Sequence, residues 1–177
     1  LPAYADEKII EAIVAAGGQH QVWHIFSKHS SSGYVLGNFH VFPVNNDMFV
    51  ESMITSIGVL CGAGFETPAE AIYLGKKLLV VPMKGQYEQQ CNAAALKQLG
   101  VTVIKSLKEK HHEKISRWIT DGKIVAIKYP DQTKEIVDLL FEEYEFIKDK
   151  LPVALPPMEE KKFRKKNWLK IFIMKCN

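Results

Sequence analysis

Residues 57–95, IGVLCGAGFETPAEAIYLGKKLLVVPMKGQYEQQCNAAA, contain two short apolar runs, each followed by a turn and a helix pattern. Few folds accept that order. The first run, Ile57–Cys61, ends in Gly62-Ala63-Gly64, and a helix pattern starts at Thr67. The second, Leu78–Val81, stops at Pro82, and after a loop holding Gly85 the polar cluster Glu88-Gln89-Gln90 opens another helix. Two neighbouring strands that hand over to helices in this way aim backbone N–H groups and positive helix ends into one crevice, which suits an anionic ligand.

The rest of the chain continues the alternation. Asp6 is placed to cap a helix with an apolar stripe of Ile9, Ile10, Ile13 and Val14, stopped by Gly17-Gly18. Val22–Phe26 reads as a buried strand, Ser30–Gly33 as a loop, and Asn38–Pro43 as a second strand. Asn45, Asn46 and Asp47 cap a helix with Phe49, Met53 and Ile54 facing inward. Beyond Gly100 come a strand at Val101–Ile104, a helix at His111–Thr120 and a strand at Ile124–Ile127. An amphipathic helix capped by Thr133 then runs through about Phe146. Strands and helices in strict alternation with short connections predict an α/β fold, a doubly wound parallel sheet of the Rossmann type. The first helix has no strand ahead of it, and the right-handed crossover rule expects one immediately before Leu1. Residues 1–150 are therefore expected to form the domain, with its first strand outside the sequence. LPVALPP at 151–157, with three prolines in seven residues, reads as a linker, and residues 158–177 as a tail.

At 177 residues, 47% apolar and 24% charged, the chain can bury a substantial core. No apolar run approaches the ~20 residues of a membrane span. Cys61, Cys91 and Cys176 lack metal-ligand spacing and read as reduced thiols of a cytoplasmic protein. The net charge of +3 is unevenly placed: residues 158–177 hold seven Lys/Arg and two Glu, a local +5, which leaves the other residues at −2. Basic charge confined to one short segment argues against nucleic acid as a partner. Phe163, Trp168, Leu169, Phe172 and Ile173 sit among those cations. The tail is expected either to stay solvated or to form an interfacial helix, on an anionic membrane surface or on another domain.

Thr67-Pro68-Ala69-Glu70 has the form of a capping box with proline at the first helical position. Taken alone, the box needs only to satisfy the helix's own N–H groups. Its place directly after a strand and Gly62-Ala63-Gly64 adds a phosphate-binding reading, because the backbone can approach a ligand closely there. Glu88, Gln89 and Asn92 lie on the first turn of the next helix, where carboxylate and amide groups can meet several hydroxyls at once, as a sugar demands. A solvated helix start accounts for the same residues. His20 and His24, spaced on one expected strand, and His111-His112, expected in solvent, read as core or surface histidines rather than metal ligands.

GAGFETPAEA followed by LLVVPMKGQYEQQCNA resembles the signature of the C-terminal, donor-binding half of GT-B nucleotide-sugar glycosyltransferases. That signature is a strand, a glycine pair, two residues, Thr or Ser, two residues and Glu, then a strand ending in Pro and an acid-Gln-x-x-Asn-Ala segment. A weaker likeness extends over about residues 1–148 and includes HVFPV, similar to the base-holding element of plant members. The resemblance implies that Gly64 and Thr67, with backbone amides from Ala63 through Phe65 to Glu66, hold a diphosphate. It implies that Glu70 takes the ribose hydroxyls. Glu88 and Gln89 would bind the transferred sugar, with Asn92 positioning that loop or touching phosphate, and the strand end Phe42–Val44 would meet the base through its backbone.

The sequence departs from the family pattern at several points. Gly62 stands where a His is common, Ala63 replaces the first glycine of the pair, and Val41 and Val44 replace the Trp and Gln of the base element. Backbone amides are left to do more, and the base is open. The resemblance implies glycosyl transfer from a nucleoside-diphosphate sugar, with the leaving group stabilised by helix N–H groups and no metal cofactor. The acceptor and the catalytic base would come from an N-terminal half or a separate acceptor subunit, so this chain alone is expected to turn over poorly. A nucleotide-sugar epimerase of the same fold and a non-catalytic nucleotide-sugar-binding module are the alternatives.

Overall fold

A computed structural model of the chain describes residue 1 and residues 4–127, 130–147 and 171–175. The chain divides into two compact units, Leu1–Ile127 with Asn167–Asn177, and Lys128–Lys166. The second contains one described helix, α6 (Thr133–Ile147), whose first turn is preceded by Asp131 accepting from the Thr133 amide at 3.2 Å. The expected linker at 151–157 and residues 158–170 of the expected tail lie outside the described residues.

The first unit is built on a seven-stranded sheet with helices on both faces. In chain order its elements are α1 (Asp6–Ala15), β1 (Val22–Ser27), β2 (Tyr34–Leu36), β3 (Phe39–Pro43), α2 (Asn46–Ile54), β4 (Ser56–Cys61) and α3 (Glu66–Tyr73). There follow β5 (Lys77–Val80), α4 (Tyr87–Gln98), β6 (Thr102–Val103), α5 (His112–Asp121) and, after the second unit, β7 (Ile171–Lys175). The spatial order is β2-β3-β1-β7-β4-β5-β6. β1 runs parallel to β3, and β4, β5 and β6 run parallel to one another.

Strand alternation divides the core between the two faces. On one side Trp23, Ile25, Leu60 and Leu79 pack with Ile9 and Ile13 of α1 and Ile115 and Trp118 of α5. On the other, Phe26, Val59, Cys61 and Val80 pack with Phe49 and Met53 of α2, Ala71 of α3 and Leu96 of α4. Residues one apart in a strand thus serve opposite layers, as the pleat requires. This is the doubly wound α/β arrangement read from the sequence.

Several local expectations are corrected. β7 takes part of the expected tail into the centre of the sheet, antiparallel to both β1 and β4, so the sheet is mixed rather than wholly parallel. It lies between β1 and β4. The pairing pattern breaks register between Ser56 and Gly58, close to where Met174 and Trp118 crowd the Gly58 backbone. Ile124–Ile127 forms no strand; Ile124 makes a single antiparallel bridge to Lys77. β2 was not expected: Gly37 at φ +57° closes a tight turn into β3, and the Gly37-Asn38 pair is the sequence signal for it. Ile54 and Val14 point outward, at 54% and 43% exposure, because each lies one step off its helix's buried stripe.

Asp6 is not the cap of α1 either. Ala5 holds that position without a side-chain bond, while Asp6 is buried and accepts from the Ser27 hydroxyl at 2.7 Å. The bond ties the start of α1 to the end of β1 and meets a demand that burial places on any carboxylate. Asn45 does cap α2, accepting from the Met48 amide at 3.0 Å. His20 lies in a 3-10 turn rather than on a strand with His24, and His24 instead bonds Ser52 at 2.9 Å. His111 and His112 are partly buried rather than solvent-facing; His112 contacts the Leu107 carbonyl at 3.2 Å.

A chain truncated after Lys166 loses the ladder partner of both β1 and β4, and it should lose its cooperative urea transition. Met174→Ala, at a side chain with 0% exposure, should cost about 2–5 kcal/mol in the same measurement. An unchanged midpoint for the truncated chain would show that the sheet stands without β7.

Candidate functional site

The carboxyl ends of β4 and β5 lie side by side, because the strands are parallel neighbours paired from Gly58↔Lys77 to Cys61↔Val80. The turn after β4 and the loop after β5 therefore meet at one edge of the sheet. α3 starts at Glu66 with Phe65 as its cap, earlier than the sequence suggests, and no side chain caps it. Thr67 and Glu70 thus do not form the expected capping box. Thr67 sits inside the first turn and Pro68 packs into the protein. Early in a helix the amides of Phe65, Glu66 and Thr67 have no intrahelical carbonyl, and Pro68 has no N–H to offer. Those three donors lie at the turn where the sequence placed a phosphate.

The glycines of the turn differ in what surrounds them. A Cβ on Gly62 would meet the Gln89 amide at 3.5 Å, whereas one on Gly64 would meet nothing within 4 Å. Neither has the left-handed φ that demands glycine. The room over Gly64 is consequently not needed by the protein's own packing. Ala63 is fully buried, and Phe65 is exposed at 75%. Glu66 and Glu70 are both exposed on α3.

The second cluster is tied to the first. Gln89 is buried at 8% exposure and its Oε1 accepts from the Met83 amide at 2.9 Å. Asn92 Nδ2 donates to the Ala63 carbonyl at 3.2 Å and lies 3.4 Å from Glu88 Oε1. Gln90 Nε2 donates to the Met83 carbonyl at 3.0 Å, so both backbone groups of Met83 are held by α4. Gly85, at φ +78°, makes the tight turn that brings the loop back to α4. Gln89 and Asn92 thereby join the β5–α4 loop to the glycine turn, while Glu88 is exposed at the helix start. The role of Met83 was not visible in the sequence, since it acts only through its backbone.

The base-contact segment lies farther along the edge, at the end of β3. The Phe42 ring packs on Phe26 and His24, with ring centroids 5.6 Å and 5.2 Å apart, and is half-buried; Val44 is 48% exposed. Cys61, at the end of β4, is buried, and burial pushes its thiol up to about 12. It stays protonated and serves as a small apolar residue of the core.

Gln89→Leu removes the acceptor for the Met83 amide and should cost about 1–3 kcal/mol of stability in urea denaturation. Glu88→Gln, at an exposed position, should leave the unfolding midpoint unchanged. Equal midpoints for the two variants would mean that the Gln89 bond does not hold the loop.

No curated protein and no solved structure matches the chain. No helix among the described residues is long and apolar enough to cross a membrane. The family model described as glycosyl transferase family 1 matches residues 3–121, more than half of the chain and the span from α1 to the end of α5. The chain belongs to glycosyl transferase family 1 and carries a Rossmann-like α/β domain of the GT-B type.

Proposed function

We propose that this chain is the donor-binding half of a glycosyltransferase that moves a sugar from a nucleoside-diphosphate sugar to an acceptor. The observation that carries the reading is the uncapped start of α3 beside open space at Gly64. Donors without a partner at a helix N-terminus attract phosphate oxygens, and the dipole adds to the attraction.

The diphosphate occupies the space over Gly64 and takes hydrogen bonds from the amides of Phe65, Glu66 and Thr67 and from the Thr67 hydroxyl, against the backbone of Ala63. Glu70, one turn into α3, accepts from the ribose hydroxyls. Glu88 meets hydroxyls of the transferred sugar. Gln89 has its carbonyl oxygen committed to Met83, so its remaining contribution is the Nε2 donor. Asn92 positions the loop through Ala63. The strand end from Phe42 to Val44 contacts the base through backbone groups.

In transfer, the sugar's C1–O bond to the diphosphate breaks as the acceptor oxygen forms its own bond to C1. Negative charge gathers on the departing diphosphate, and the fixed amides at α3 stabilise it without reorganisation. Acceptor residues and the base that takes the acceptor proton belong to another half or subunit. The basic residues 158–170 ahead of β7 are assigned to an anionic membrane surface.

A thermal-shift series with UDP, GDP, dTDP and their sugars tests the reading. A ligand at about a hundred times its dissociation constant should add ~2.7 kcal/mol of stability. Glu70→Ala should weaken every nucleoside diphosphate, while Glu88→Ala should weaken only the sugar-bearing forms. No response to any nucleotide from a folded sample sinks the donor site, and equal losses in both ligand sets would undo the division between the two clusters.

A further inference from the structure

The turn between β5 and α4 holds a charge that the donor reading leaves unused. The Gln86 amide donates to the Met83 carbonyl at 3.3 Å, which closes a four-residue turn with Lys84 and Gly85 at its centre. Gly85, at φ +78°, has the backbone that the second central position of a type II turn requires. Lys84 therefore stands at the tip. Its exposed side chain has no hydrogen-bond or ion-pair partner among the described residues.

The tip is held from α4. Gln89 Oε1 accepts from the Met83 amide at 2.9 Å, and Gln90 Nε2 donates to the Met83 carbonyl at 3.0 Å. The same Gln89 oxygen lies 3.5 Å from where a Cβ on Gly62 would stand, so one atom of α4 touches both turns. The four-carbon stem of a lysine spans roughly 6 Å, which is the scale of that gap.

Charge makes the position matter. Residues 62–70 and 81–92 hold three carboxylates, Glu66, Glu70 and Glu88, all exposed, and one cation, Lys84. A diphosphate brought among those carboxylates is repelled unless a cation offsets them. The amides at the start of α3 carry only partial charge. Other lysines are committed or farther off. Lys76 bonds the carbonyls of Ile54 and Ser56, and Lys77 those of Ile119 and Thr120. Lys105, Lys108 and Lys110 follow β6, one strand farther from the glycine turn.

We infer that Lys84 meets the β-phosphate of the donor, and that this contact makes the site select a diphosphate over a monophosphate leaving group. The inference rests on the donor reading above. Lys84 precedes Glu88 on the same loop and helix start, and Glu88 is assigned to the sugar, so this loop serves the sugar end of the ligand. The β-phosphate joins the sugar there, and a nucleoside monophosphate lacks it. An ammonium is a compact charge with three donors, which suits a phosphate with several free oxygens.

Titration calorimetry of the full chain with UDP, GDP and dTDP, and with the matching monophosphates, tests this. Lys84→Gln should weaken the diphosphate that binds by about tenfold, the low end for a charge-assisted hydrogen bond, and leave its monophosphate unchanged. Lys84→Arg should keep most of the diphosphate affinity, and Lys108→Gln should change nothing. Undiminished diphosphate binding by Lys84→Gln overturns the inference and leaves the donor site standing. An equal loss of both ligands, or an equal loss in Lys108→Gln, does the same. A folded native chain that binds no nucleotide removes the donor site and this contact together, which sets the two failures apart.

Discussion

Backbone pairing at the centre of the sheet is the constraint on which the first unit depends. β1 and β4 run in the same direction but do not touch; β7 lies between them and supplies the ladder for both. Without a strand in that position, a row of amides and carbonyls on each neighbour would lack partners in the interior, where water cannot replace them. The two apolar layers meet through the same strands. Met174 of β7 packs with Trp23 and Trp118, and the facing layer is built from the alternate residues of β1 and β4.

The crevice inherits its geometry from that frame. Parallel β4 and β5 bring a glycine turn and a loop to one edge, and α4 then locks them with side chains that never reach solvent fully. Gln89 holds Met83 and Asn92 holds Ala63, so the β5–α4 loop and the glycine turn are both tied to α4. Glu66 and Glu70 are exposed on α3 and take no part in this lock.

Much of the fold was legible locally. The apolar runs at 57–61 and 78–81, the prolines and glycines that end them and the helical stripe of Ile9, Ile10 and Ile13 depend on neighbours within a few residues, and they survive in the structure. The paired motifs led to the same family that the match over residues 3–121 identifies. Less legible was which of several polar residues would be used by the protein itself. Thr67 and Glu70 have the form of a capping box, yet α3 begins ahead of them. Gln89 has the form of a ligand residue, yet its oxygen is spent on a loop amide. Asp6 has the form of a cap and is instead the buried partner of Ser27.

By itself the sequence determined most of the strands and helices between α1 and α5 and the doubly wound class. Those properties follow from hydrophobic period, turn chemistry and motif spacing, all of which are local. Only the tertiary structure decided that residues 171–175 enter the sheet rather than staying in a tail. It also decided that Gln89 turns inward, and that Lys84 stands at the tip of a turn held by α4. These outcomes depend on which backbone groups need partners and which elements happen to be adjacent, and neither is written in any single segment.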